Sequence, residues 1–148
     1  MSQRHPDQND LLMFVTTNTL HRKPVFTDPA CAREAVECLY RVQELHPFLL
    51  FAFVIMPDHC HFLLRVEAPM KISNLIGTYK SGLRFDLGIQ ERLWQPRFHL
   101  RVPNHAWRTL EYIHNNPVVA GLCEMPENYP WSSACRKWEV TPLDSWPS

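Results

Sequence analysis

Two imidazoles one residue apart, His59 and His61, and a tyrosine with an asparagine one helical turn later, Tyr112 and Asn116, are the residues whose types and spacing could do chemistry together. On a strand, successive side chains point to opposite faces, so His59, His61, Leu63 and Arg65 share one face. Cys60, Phe62, Leu64 and Val66 share the other. Two neutral ring nitrogens side by side can hold one divalent ion, while Cys60 points away from it as an apolar spacer rather than a ligand. Paired histidines are also ordinary half-exposed strand residues, so the pair alone does not define a metal site.

A helix would align Arg108, Tyr112 and Asn116, four apart, on one face, with Ala106, Leu110 and Ile113 on the packing side. Laid across the histidine face of a sheet, it could offer the Asn116 amide oxygen as a third ligand and bring Tyr112 to a phosphate. A tyrosyl oxygen suits phosphodiester cleavage because its covalent link to phosphorus is stable yet reversible, which conserves the cut bond for rejoining. A phenol is a poor nucleophile at neutral pH. An ion would draw charge from the phosphate and orient it, and a base must take the phenolic proton. The alternative for Tyr112 is a core or rim aromatic.

The elements that must position these residues can be read along the chain. Leu11 to Leu20 is apolar and β-branched and predicts a strand. Asp28 then caps a helix with Pro29 at its first position, and Cys31, Ala35, Cys38, Val42 and Leu45 form its buried face. Phe48 to Met56 is a continuous apolar run, Pro57-Asp58 signals a turn, and His59 to Val66 completes a hairpin. Ile72, Leu75, Ile76, Tyr79 and Leu83 give a second amphipathic helix from about Met70 to Phe85, with Gly88 ending it nearby. Arg92 to Val102 reads as extended. Asn104 is placed to cap a third helix running to about Asn116, where Pro117 disfavours continuation. The resulting β-α-β-β-α-β order with a C-terminal helix predicts an α+β, ferredoxin-like antiparallel sheet, two helices on one face and the other face free.

With 148 residues and 45% hydrophobic content, the chain fits one domain spanning 1–148, with residues 1–10 expected flexible and 126–148 docked on the domain or partly flexible. No apolar run reaches membrane-spanning length and the polar start lacks a signal peptide, so a cytoplasmic protein with no membrane partner is expected. Five cysteines without a Cys-x-x-Cys pair signal neither a disulfide framework nor a structural zinc site. The net charge is zero, yet residues 65–108 hold eight Lys or Arg against three acids, a local +5. That segment could face a phosphate backbone, or be a solvated helix surface.

Four blocks in order, VIMPDHCHFLL at 54–64, LWQPRFH at 93–99, LEYIHNNPVVAGL at 110–122 and PENYPWSS at 126–133, resemble the HUH single-tyrosine transposases, specifically the REP-associated tyrosine transposase branch. The resemblance implies His59 and His61 as metal ligands, Asn116 as the helical polar ligand and Tyr112 as the nucleophile. It further implies one divalent ion, Mg2+ or Mn2+, a single-stranded DNA substrate with a REP-like hairpin, and a covalent 5′-phosphotyrosine with a free 3′-hydroxyl. Relatives include dimers and more compact forms, so monomer or homodimer stays open. Two positions depart from the pattern: Cys60 replaces a bulky hydrophobe, and His99 stands where an aromatic is expected, as a surface replacement or a base near DNA.

Single strands are held by basic grooves with aromatic platforms, which makes Lys80, Arg84, Arg97, Arg101 and Arg108 phosphate candidates and Trp94 a DNA-binding candidate. Trp107 and Trp131 could also stack on bases, and any of the three tryptophans could instead fill the core. Two other functions remain compatible with these residues: a hairpin-binding regulator that does not cut, and a metal-dependent phosphoesterase that uses water.

Overall fold

Why the sheet forms as it does follows from its two-sided strands. The computed structural model describes residues 11–145; the expectation for residues 1–10 lies outside them, as do positions 146–148. The strands are β1 (Leu12–Asn18), β2 (Phe48–Met56), β3 (His59–Val66) and β4 (His99–Arg101), in the antiparallel order β2-β3-β1-β4. This is the ferredoxin-like order. Alternation sends Met13, Val15, Phe53, Ile55, Cys60, Phe62 and Leu64 into one core beneath two helices, α1 (Pro29–Leu45) and α2 (Ile72–Asp86).

Each helix begins and ends for local reasons. The Asp28 carboxylate accepts from the Ala30 N–H at 2.9 Å, with Pro29 at the first position, and α1 buries Ala32, Ala35, Val36, Cys38, Leu39 and Val42. Leu45, expected on that buried face, is 72% exposed at the helix end. Helix α2 starts at Ile72 rather than Met70, and Gly88, at φ 66°, turns the chain away after it.

The sheet face that α1 and α2 leave open receives the C-terminal helix, as the sequence allowed. Helix α3 (Ala106–Val119) packs chiefly over β2, where Ile113 joins Phe51, Ala52, Val54, Met56 and Leu63 in a second core. Phe51 reaches this core because a register shift between Leu50 and Ala52 inserts it as an extra residue in β2. Over β4 the face stays open, with His99 and Arg101 exposed.

Helix α3 also departs from expectation at both ends. His105, not Asn104, occupies the N-cap position and makes no side-chain cap bond. Pro117 lies inside the helix. A proline removes the N–H that would serve the Ile113 carbonyl and crowds that carbonyl with its ring, and here Pro117 is buried one turn after Ile113 on the same side of the helix. The stop falls instead at Gly121, at φ 77°, where the Gly121 N–H reaches the Val118 carbonyl and the Leu122 N–H the Pro117 carbonyl.

Beyond α3 the chain docks along the outer edge of β2, which would otherwise expose unpaired backbone. The Ile55 N–H donates to Trp131 O at 2.8 Å, the Tyr129 hydroxyl to Ile55 O at 2.7 Å, and the Thr141 N–H to Leu50 O at 2.8 Å. Ser133 Oγ accepts from the Phe53 N–H at 3.0 Å. Among the described residues no helix is long and apolar enough to cross a membrane.

Candidate active site

Strand register brings together residues far apart in sequence. His61 lies opposite Thr16 of β1, Thr16 lies opposite His99 of β4, and His59 lies opposite Asn18. Paired residues point to the same side, so all five share the face that α3 leaves partly open.

His61 is buried, with Nδ1 2.8 Å from Thr16 Oγ1. Burial above all, then the neighbouring His59 and Arg22 charges, pushes its pKa down to about 3, so the ring is neutral in the physiological range. With Nδ1 engaged, Nε2 is the nitrogen left for an ion. His59 Nδ1 sits 2.7 Å from Asp58 Oδ1, which directs its Nε2 to the same use, and the two rings lie 4.7 Å apart. Arg22 Nε donates to Asp58 Oδ2 at 3.0 Å. Burial alone would raise the Asp58 carboxyl, but hydrogen bonds from Arg22 and His59, with their charges, hold it below the ordinary carboxylate range.

Tyr112, carried by α3, is 54% exposed, and its ring stands 5.7 Å from His61 and 6.0 Å edge-on to Phe14. The Arg101 guanidinium lies over the Phe14 ring, 5.5 Å from its centroid. Tyr112 borders two clefts. One, of about 540 Å³, is lined by Thr16, His61, His99 and Arg101; the other, of about 400 Å³, by Arg101, Asn104, His105 and Arg108. Asn116 lies half-buried one turn beyond Tyr112 on the same helix.

Among the described residues no three His, Cys, Asp or Glu side chains converge as a metal site. A third protein donor for an ion held by His59 and His61 must therefore be of another type. The Asn116 amide oxygen is a hard donor on the helix that carries Tyr112, and with two borderline imidazole nitrogens it would make a mixed set that suits Mn2+ better than Mg2+.

The remaining DNA-contact candidates separate in space. Arg101 and Arg108 flank Tyr112, and Arg97 is exposed on the segment leading into β4. Lys80 and Arg84 line a separate cleft of about 550 Å³ beside α2. Lys80 Nζ donates to Gln95 O at 2.8 Å, burial pushing its pKa down, while Arg84 bonds the carbonyls of Ile89, at 3.2 Å, and Gln90. Both cations brace the loop between α2 and β4.

Trp94 takes the core packing that stood as the alternative to a base platform, while still lining the cleft of Lys80 and Arg84. It is buried against Phe26 and Tyr79, and its indole N–H donates to Lys80 O at 3.1 Å, so core atoms occupy the ring. Trp131 is half-buried between the two cores, whereas Trp107 is 51% exposed on α3. Thr16, Asp58 and Arg22 are site residues that sequence reasoning missed. The Asp58-His59 adjacency was visible; Arg22, 37 positions from His59, carried no local signal.

Comparison with known proteins agrees with this geometry. Residues 9–116 match the sequence family described as Transposase IS200 like. A REP-associated tyrosine transposase of Escherichia coli K12 is 27% identical over 130 residues, covering 81% of this chain and 74% of that protein. A Haemophilus influenzae protein provisionally given the same name is 32% identical over 120 residues, 68% of each chain. A solved REP-associated tyrosine transposase bound to a REP hairpin superposes with a TM-score of 0.80 at 22% identity, covering 100% of this chain and 92% of that one, which establishes the shared fold. The family match over residues 9–116, the named relatives and the shared fold make this chain a member of the HUH single-tyrosine transposases, in the REP-associated branch.

Proposed function

We propose that the protein nicks and rejoins single-stranded DNA at hairpin-bearing, REP-like repeats through a covalent 5′-phosphotyrosine on Tyr112. The observation that carries this reading is the placement of a half-exposed Tyr112 ring 5.7 Å from His61, beside a cleft bordered by Arg101. The hairpin substrate is taken from the relative solved with a REP hairpin.

In this reading the DNA backbone lies in the clefts on either side of Tyr112, its charge met by Arg101 and Arg108. His59, His61 and Asn116 hold one divalent ion, which when bound withdraws charge from the scissile phosphate. Tyr112 Oη loses its proton and bonds to phosphorus. The bond from phosphorus to the upstream 3′ oxygen breaks, and that oxygen takes a proton to leave a free 3′-hydroxyl. Rejoining is the reverse, with a 3′-hydroxyl attacking the phosphotyrosine. Because the link conserves one phosphodiester's energy, no external energy source is required.

The test is incubation with single-stranded hairpin DNA and Mn2+, followed by denaturing electrophoresis. A denaturant-resistant protein–DNA adduct is expected, and it should be absent from Tyr112→Phe. Cleavage without an adduct would replace this reading with the water-using phosphoesterase, and binding without cleavage with the regulator.

A further inference from the structure

Two consecutive non-glycine residues, His21 and Arg22, occupy the left-handed region at φ 57° and 54°. L residues rarely adopt it, and where they do the surrounding structure holds them there. Here the Leu20 N–H is held by Leu93 O at 2.9 Å, and contacts on both sides of the corner lead to the turn preceding His59. The Thr19 N–H donates to Asp58 O at 3.0 Å, and the Thr19 hydroxyl is shared between Asp58 O at 3.0 Å and Lys23 O at 2.8 Å. The Phe26 N–H donates to Pro57 O at 2.9 Å. The strained corner is therefore fastened to the Pro57-Asp58 turn from both sides.

Its product is the placement of Arg22. The side chain is half-exposed, so it is not there to fill a core, and its Nε meets Asp58 Oδ2 at 3.0 Å while Asp58 Oδ1 meets His59 Nδ1 at 2.7 Å. One carboxylate bridges a guanidinium and an imidazole, each taking a different oxygen. The closest other approach, Arg22 Nη2 to His59 Nδ1 at 3.3 Å, is a contact rather than a bond when Nδ1 directs its proton to Asp58.

We infer that Arg22 is a positioning residue for ion binding: by occupying one oxygen of Asp58 it fixes the other on His59 Nδ1, which sets the tautomer and aims Nε2 at the ion. It also keeps the carboxylate from turning to the ion itself. This rests on the reading of His59 and His61 as ligands. Arg22 and Asp58 act in series, because with the Nδ1 proton on Asp58 the hydrogen bonds from Arg22 toward the ring run through the carboxylate, the 3.3 Å approach of Nη2 to Nδ1 being a contact without a bond, and this series arrangement separates a positioning role from a merely structural one.

The experiment is Mn2+ titration of the full chain without DNA, followed by electron paramagnetic resonance of the free ion, with a melting curve of each metal-free variant. The unsubstituted chain should bind Mn2+ and His59→Ala should not. Loss of an outer partner of a ligating histidine weakens metal affinity roughly 10- to 100-fold, so Asp58→Asn and Arg22→Gln should both fall in that range. The double variant should bind no more weakly than Asp58→Asn alone, and Arg22→Lys, which keeps the charge but loses the fork, should recover part of the loss. Arg22→Lys also carries the test should Arg22→Gln fail to fold. Unchanged affinity in both Arg22 variants alongside loss in His59→Ala would overturn the inference while leaving the metal reading intact. So would effects of Arg22→Gln and Asp58→Asn that multiply. Wild-type affinity in His59→Ala, or no Mn2+ binding at all, would sink the metal reading and this inference with it.

Discussion

Ser133 is where the C-terminal segment is fastened to the helix that carries Tyr112. Its hydroxyl oxygen lies 3.0 Å from the Phe53 nitrogen, 3.3 Å from the Phe53 carbonyl and 2.8 Å from His114 Nε2, so one small side chain serves the outer edge of β2 and α3 together. Burial lowers the His114 pKa, so this ring favours its neutral form. In Ser133→Ala the Phe53 N–H, in a residue with no exposed surface, loses its partner, and so does the imidazole. An unsatisfied buried backbone group costs about 1–3 kcal/mol, and the half-buried imidazole roughly 1 more, for a total of about 2–4 kcal/mol. At roughly 2–4 °C per kcal/mol for a chain of this size, the melting midpoint should fall by about 4–16 °C. Urea unfolding at neutral pH measures the loss. A cycle with His114→Phe then apportions it, since the two substitutions should cost less together than the sum of each alone. A loss below about 0.5 kcal/mol, the range of an ordinary surface change, would refute the claim that this hydroxyl fastens the segment.

Other consequences can be checked separately. His61 is nearly unprotonated in the folded state until its pKa of about 3, whereas the unfolded ring takes a proton below 6.5, so acid favours unfolding. Between pH 7.5 and 5.0 the metal-free protein should lose about 2 kcal/mol of stability through this group, and in His61→Gln, assayed by urea with chelator, that part of the slope should vanish. Gly121→Ala meets no neighbouring atom but places a Cβ at φ 77°, which should cost about 1 kcal/mol in the same assay. Arg101→Ala should weaken hairpin binding and reduce the slope of log affinity against log salt by about 0.7, the share of one single-strand phosphate contact; an unchanged slope would remove Arg101 from the DNA path.

What the sequence disclosed was whatever depends on local period. Strand alternation alone separated His59 and His61 from Cys60, and the four-residue spacing alone aligned Arg108, Tyr112 and Asn116. Both readings survive because they need only the geometry of one element. The β-α-β-β-α-β order was legible for the same reason, each segment carrying its own periodicity and turn residues. Partners set by tertiary register were not legible: Thr16 reaches His61 only once β1 pairs with β3, and Arg22 reaches Asp58 only through a left-handed corner that nothing in its residue types announces. The face that α1 and α2 leave open takes α3 and also residues of the C-terminal segment, because β2 is apolar on both sides and requires cover on both. Trp94 stayed open between the two roles, since an aromatic between basic residues reads alike whether it stacks on a base or on Phe26 and Tyr79. Pro117 was taken as a stop, although a proline one turn from a helix end removes a single bond there.

The central claim is a covalent bond between Tyr112 and a 5′-phosphate, and peptide mass spectrometry tests it most directly. After reaction with hairpin DNA and Mn2+, then nuclease trimming and proteolysis, the peptide containing Tyr112 should carry a residual nucleotide on that side chain, and Tyr112→Phe should yield none. A nucleotide mapped to any other residue, or an adduct that persists in Tyr112→Phe, would contradict the account.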